Sequence, residues 1–322
     1  MNRCEIHLRK DINMECRVCR EKSTMDLRRT IDKDALIERY MNGLGVDVSS
    51  YLVQDVKLFR CNSCGALLFY PSTPGRQEFY EQLQHFDWYY MDDKWEYRQA
   101  SNYIKKSANV LELGAGKGAF SKFLPDNVTY RGLEYSSTAV TIAAANGVNI
   151  INELIEDYAV HHEQEYDVVC HFQVLEHVDD VYSFMSNSCK CLVQGGLYLI
   201  CVPNEESYLH FLPHDTLNLP PHHLSRWDRK AILGLGRVFG LELIDLEYEP
   251  LAEIHLTSYI DTLVEMAIGM PQPGEVPDRK TSERDMRYLL RRFMEGCWLK
   301  RAWKHEVMRP RGHSLLAVYR KI

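Results

Sequence analysis

From residue 107 onward, short apolar runs alternate with longer amphipathic stretches. Runs at 109–113, 129–134, 148–151, 166–172, 196–202, 241–248 and 313–320 have the length and apolar density of strands. Stretches near 118–124, 136–145, 154–160, 179–192 and 227–239 carry apolar residues at helical spacing. Short apolar strands separated by helices predict a parallel sheet covered on both faces. Residues 253–308 interrupt this alternation before the last strand. Their spacing is helical, as in Tyr259-Ile260-x-x-Leu263-Val264-x-Met266 and Met286-x-x-Leu289-Leu290-x-x-Phe293. An insertion of that size predicts a lid or a contact surface for a homo-oligomer.

The first third of the chain is patterned differently. Residues 1–75 predict a small unit with one helix at Asp34–Met41 and a strand pair at Tyr51–Val53 and Lys57–Arg60. Residues 76–106 form a bridge rich in aromatics, among them Phe79, Tyr80, Phe86, Trp88, Tyr89, Tyr90, Trp95, Tyr97 and Tyr103. Most of these rings are expected in a core. Tyr90 and Trp95 are the candidates for a substrate-facing wall, because pockets are commonly lined by aromatics. The expected division is therefore 1–75, 76–106 and 107–322.

Composition narrows the class. The 322 residues include 45% hydrophobic ones, ample for a core, and the net charge is −7. An acidic balance argues against a generic nucleic-acid binder, whose footprint is basic. No apolar run approaches the roughly 18 residues of a membrane span. The first ten residues are charged and lack the apolar region of a signal peptide. With ten cysteines and no such signal, thiols free or on metal in a reducing cytoplasm are expected.

Two cysteine pairs stand out, Cys16-Arg-Val-Cys19 and Cys61-Asn-Ser-Cys64-Gly65. One C-x-x-C turn presents two thiolates to an ion, and two such turns complete a tetrahedral zinc site. Gly65 suits the tight turn after the second pair. A small segment with little core would gain stability from such a structural zinc. Cys4 and His7 are weaker candidates for additional ligands.

The central signal is Asn109-Val-Leu-Glu-Leu-Gly-Ala-Gly-Lys-Gly-Ala-Phe120. An apolar strand meets Gly114, Gly116 and Gly118. Glycines let the backbone turn sharply and let a ligand approach the main-chain N–H groups. Gly114-x-Gly116-x-x-Ala119 formally fits a dinucleotide fingerprint. Glu112, however, sits two residues before the first glycine. A carboxylate there would repel a diphosphate, whereas it can accept a hydrogen bond from the ammonium group of S-adenosylmethionine. The methyl donor is the preferred reading, and a nicotinamide dinucleotide is the competing one.

Taken together, the motifs resemble the class I S-adenosylmethionine-dependent methyltransferases, in the branch with an N-terminal zinc-ribbon-like segment linked to surface polysaccharide or natural-product pathways. The matching stretches are Leu111–Gly118, Gly132-Leu133-Glu134-Tyr135-Ser136, Phe172-Gln173-Val174-Leu175-Glu176-His177-Val178, Gly195–Asn204 and Pro220-Pro221-His222-His223-Leu224-Ser225-Arg226-Trp227. The resemblance implies a Rossmann-like α/β fold with a seven-stranded sheet whose last strand is antiparallel. It implies cofactor contacts from Glu112, Gly114, Ala115, Gly116 and Gly118, with Glu134 on the ribose and Tyr135 against the adenine. Ile155 and Glu156 follow as adenine contacts, with Glu153 the alternative register. Gln173 lies where the family meets the methionyl end. His177, His222 and His223 are the candidates for substrate contact or proton removal, since an imidazole titrates near neutrality. The acceptor implied is a small molecule, most simply a sugar or related hydroxyl. A nucleic-acid or protein acceptor guided by the zinc segment is the alternative. Base-amino methyltransferases often carry an Asn/Asp-Pro-Pro-aromatic stretch after the fourth strand, which Phe172–Leu175 does not match.

Overall fold

A computed structural model describes residues 12–83, 85–86, 91–212, 215–268 and 309–322. The first part of the chain forms β1 (Ile12–Glu15), β2 (Lys22–Ile31), α1 (Lys33–Leu44), β3 (Val56–Cys61), β4 (Leu67–Tyr70), α2 (Gln77–Leu83) and α3 (Trp95–Ser101). There follow β5 (Asn109–Leu113), β6 (Thr129–Leu133), α4 (Ser137–Ala145), β7 (Ile150–Ile151), α5 (Ile155–Tyr158), β8 (Tyr166–Phe172), α6 (Val181–Cys191) and β9 (Leu192–Pro203). The chain ends with β10 (Ser225–Arg226), α7 (Arg229–Phe239), β11 (Leu241–Pro250), α8 (Leu256–Ile268) and β12 (Arg311–Lys321).

Seven strands make the larger sheet in the order β11-β12-β9-β8-β5-β6-β7. The pairs β6–β7, β5–β6, β5–β8 and β8–β9 are parallel. The last strand is antiparallel, as expected. Ile322 N–H donates to Gly240 O at 3.2 Å, and Lys321 Nζ donates to Leu192 O at 2.7 Å. The end of β12 therefore lies beside the beginnings of β11 and β9. Because β5 and β8 are covered on both faces, they are near-continuous apolar runs rather than alternating ones. Their side chains pack with Tyr97, Ala100, Phe120, Leu199 and Val318 in the main core.

The helix expected after the glycine bend is a 3₁₀ turn, Ala119–Phe123. Pro125 is the reason, since it holds Leu124 extended, at ψ 145°, and stops the helix from propagating. The expected strand at Tyr51–Val53 is also corrected. That segment is a turn closed by Tyr51 N–H and Leu52 N–H on Val48 O, at 3.0 and 3.2 Å. Its Ser49-Ser50 pair favours such a turn over a ladder. β3 instead pairs with β2 and β4.

The smaller sheet, β1-β2-β3-β4-β10, recruits its last strand from the loop ahead of α7. Asp32 and Asp228 cap α1 and α7 by accepting N–H bonds from Ala35 and Ala231. Two compact units emerge. One comprises residues 1–203, 214–247 and 315–322; the other comprises 204–213 and 248–314. In the second, Tyr208, Leu209 and Leu251 form a small core backed by Leu256 and Tyr259. The Met286–Phe293 pattern, and with it most of the expected oligomer surface, lies outside the described residues. Among the described residues, no helix is long and apolar enough to cross a membrane.

Candidate active site and metal centres

Parallel pairing brings three loops to one edge of the sheet. Leu113 is level with Leu133 and with His171, so Gly114, Glu134 and Gln173 leave their strands side by side. Open α/β sheets bind ligands at this carboxyl edge. Gly114, Gly116 and Gly118 have φ of 67°, 54° and 78°, in the left-handed region where a side chain is strained. A Cβ on Gly114 would stand 2.5 Å from Val174 Cγ2, so no larger residue fits between the two loops.

Glu134 holds the bend in shape. Its carboxylate accepts N–H bonds from Gly116 and Ser136, both at 2.8 Å. Asn152 donates to the Glu134 and Tyr135 carbonyls at 2.8 and 2.7 Å, which fixes the strand end. Tyr135 is 64% exposed, a ring available to stack on a planar ligand. Ala115 and Ile155 are buried, and Glu156 is half-buried at the start of α5. Gln173 adopts φ 58° and donates its backbone N–H to Cys201 O at 2.8 Å.

Glu112 is buried in β5 and accepts the Tyr130 hydroxyl at 2.5 Å. Burial pushes its carboxyl up to about 8. An approaching cation would favour the ionised form that burial disfavours, and so is complemented by this acid. The residues therefore fit an ammonium-bearing adenosyl cofactor.

The three histidines, distant in sequence, converge. His177 lies in the short turn after β8; His222 and His223 lie in the loop before β10. One ring nitrogen from each lies within 4.8 Å of the others. The rings of His222 and His223 stack with centroids 4.6 Å apart, and His177 stands edge-on to both at 4.5 and 4.9 Å. Their Nδ1 atoms face His222 O at 2.7 Å, Leu217 O at 2.8 Å and Asn218 Oδ1 at 3.0 Å respectively. Those carbonyl oxygens can only accept, so each Nδ1 carries a proton. Burial pushes His177 down to about 4 and His222 down to about 3, so both stay neutral at pH 7. Neutral imidazoles with so low an affinity for protons are weak general bases.

Two neighbours escaped the sequence reading. Tyr80 packs edge-on to His177 at 5.8 Å. Glu176 is 1% exposed, and neither carboxylate oxygen has a hydrogen-bond partner; burial pushes it up to about 8. An acid inside the apolar Val174-Leu175-x-His177-Val178 run was the available signal. Trp95 opens α3 half-buried and packs against the main core. Tyr90 lies outside the described residues, as do Cys4 and His7.

The four cysteines close on one point, with their sulfurs all within 4.8 Å of one another. Cys16 and Cys64 are 3.6 Å apart, and Cys19 and Cys61 are 3.9 Å apart. Zinc–sulfur bonds of about 2.3 Å in a tetrahedron set sulfurs about 3.8 Å apart. Each pair is followed by a left-handed residue, Arg20 at φ 60° and Gly65 at φ 84°. The donor set and spacing are compatible with zinc.

This strand order, with an acid-flanked glycine bend at its carboxyl edge, defines a class I S-adenosylmethionine-dependent methyltransferase. Residues 83–246 match the family described as "Methyltransferase domain", and the chain belongs to that family. It is similar to the ubiquinone biosynthesis O-methyltransferase of Thiobacillus denitrificans, 29% identical over 169 residues, covering 45% of this chain and 71% of that protein. The enzyme of the same name from Hydrogenovibrio crunogenus is 28% identical over 177 residues, covering 48% and 73%. A solved SAM dependent methyltransferase from Archaeoglobus fulgidus aligns at TM-score 0.47 and 13% identity, covering 70% of this chain and 90% of that one.

Proposed function

We propose that the enzyme methylates a hydroxyl of a small-molecule acceptor, a sugar or related metabolite, and that the four cysteines hold a structural zinc. The observation that carries the acceptor side is the histidine cluster, three converging imidazoles at the same sheet edge as the glycine bend. The oxygen-methylating relatives support an oxygen acceptor. The acidic net charge of −7 weighs against nucleic acid.

The bound cofactor supplies a methyl group activated by a positively charged sulfur. Gly114, Ala115, Gly116 and Gly118 would line its methionyl end with no bulky side chain in the way, with Glu112 and Gln173 beside them. Glu134, braced by two amides, takes the ribose hydroxyls. Tyr135, Ile155 and Glu156 bound the adenine. His177, three residues after the Val174 that packs against Gly114, would bring the acceptor toward the methyl group. Alignment of this kind is the main contribution to an in-line displacement.

Calorimetric titration with S-adenosylmethionine tests the cofactor side. One site per chain is expected, and no binding by folded, zinc-loaded protein would refute it. Methyl transfer to a panel of sugar, phenolic and RNA acceptors tests the rest. Transfer confined to RNA would overturn the small-molecule reading.

A further inference from the structure

We propose that His177, His222 and His223 form a second metal centre, for a divalent transition ion such as zinc, which takes the acceptor hydroxyl as a further ligand. The inference deepens the methyltransferase reading at the acceptor side, and only its chemical consequence rests on that reading.

Four observations carry it. First, one nitrogen from each ring lies within 4.8 Å of the others. Nitrogens bound to zinc at about 2.0–2.1 Å in a tetrahedron sit about 3.4 Å apart. Second, each Nδ1 faces a carbonyl oxygen on residues 217, 218 or 222. Metal-bound imidazoles characteristically donate their other N–H to such an oxygen, which fixes the tautomer and orients the ring. Third, the buried His222 Nε2 has no hydrogen-bond partner, and stacking on His223 holds it beside a second nitrogen donor. Fourth, Glu176 buries a carboxylate with no partner, one oxygen 3.9 Å from His177 Nε2. Buried acids are ordinarily paired or set beside metals. A cation among the imidazoles satisfies all four together, and neutral nitrogen donors select zinc-like ions over magnesium or calcium.

Three protein nitrogens leave a coordination position open, the arrangement of catalytic rather than structural zinc. A hydroxyl bound there loses its proton to solvent more readily. Its oxygen lone pair then forms the O–CH₃ bond while the S–CH₃ bond breaks. That electron pair stays on sulfur, and the sulfonium becomes a neutral thioether.

The test is metal counting on the untagged full-length chain, supplied with zinc or cobalt alone. Two ions per chain are expected by elemental mass spectrometry. The triple variant His177→Gln, His222→Gln, His223→Gln should hold one and bind S-adenosylmethionine as before. Cobalt separates the sites. The thiolate site gives a charge-transfer band, and the second equivalent adds only weak visible bands. A wild-type count of one, or a second equivalent that persists in the triple variant, overturns the proposal. Should the variant fail to fold, the wild-type cobalt titration decides alone: a second equivalent without charge transfer supports the site, and its absence overturns it. Calorimetry on the same samples keeps the two readings apart, because loss of cofactor binding would leave the ion count standing.

Discussion

The cysteine corner and the histidine corner are built on opposite plans. Two turns, each local in sequence, supply the four thiols, and the geometry closes around a point. A turn after β8 and a loop 45 residues later supply the three imidazoles, each anchored by a carbonyl. Charged sulfur donors suit a closed structural ion, whereas neutral nitrogens with an open side suit a ligand that exchanges. The corners are also joined. Arg17, inside the first cysteine turn, donates to Asp179 Oδ1 at 2.5 Å, to Phe69 O at 2.9 Å and to Leu224 O at 3.3 Å. Leu224 N–H donates in turn to Glu176 O at 2.7 Å. The cysteine sheet thus backs the loop that carries His222 and His223, and the structural corner sets the stage for the reactive one.

The largest test of that dependence is Cys64→Ser. It should abolish zinc binding at the cysteines and cost about 5 kcal/mol or more, because binding energy at such a site is folding energy. Thermal melting with and without chelator reads it, and methyl transfer should fall with the melt. A variant that keeps both its melting temperature and its activity would uncouple the two corners.

Gly234→Ala probes the seam between α7 and the second cysteine turn. Its Cβ would sit 1.7 Å from the Cys64 carbonyl oxygen, and only backbone movement relieves that contact. A loss of about 3 kcal/mol is expected, the upper range for overpacking, read by denaturant unfolding.

Asn218→Ala sharpens the histidine side. It removes the Nδ1 partner of His223 and leaves the Asn218 carbonyl that accepts from Arg226. Loss of an outer-shell partner commonly costs about 10–100-fold in activity or metal affinity. Methyl transfer should fall by that order while S-adenosylmethionine affinity is unchanged.

The smallest effect is expected at His171, a histidine that belongs to neither corner. It is buried in β8 with both ring nitrogens unpartnered, and burial pushes it down to about 3. The folded state therefore binds fewer protons than the unfolded chain, whose imidazole titrates near 6.5. Stability is full above about pH 6.5 and is lost as the pH falls toward 3. His171→Leu should remove that part of the acid-side slope and gain about 1 kcal/mol at neutral pH by deleting unsatisfied polar atoms. Unfolding curves at pH 5 and 7 measure both.

Legibility followed locality. The glycine bend was readable because its three glycines and Glu112 lie within seven residues, and each answers a backbone or charge requirement of that turn. The cysteine turns were readable for the same reason. The three histidines were nameable as candidates, but nothing in their spacing announced that they would share one point. The 3₁₀ turn after the bend was misjudged because apolar spacing outweighed the stop imposed by Pro125. The role of Glu134 was incompletely seen, since its grip on the Gly116 and Ser136 amides depends on how β6 and the bend face each other.

By itself, then, the sequence determined the strands of the larger sheet, the cofactor turn and the thiol donors, because each is set by residues in contact along the chain. The tertiary structure alone decided that His177 meets His222 and His223, that Glu176 is buried beside them, and that β10 joins the cysteine sheet. Those outcomes depend on which strand edge and which loop come together in space, and no local spacing of residues encodes that choice.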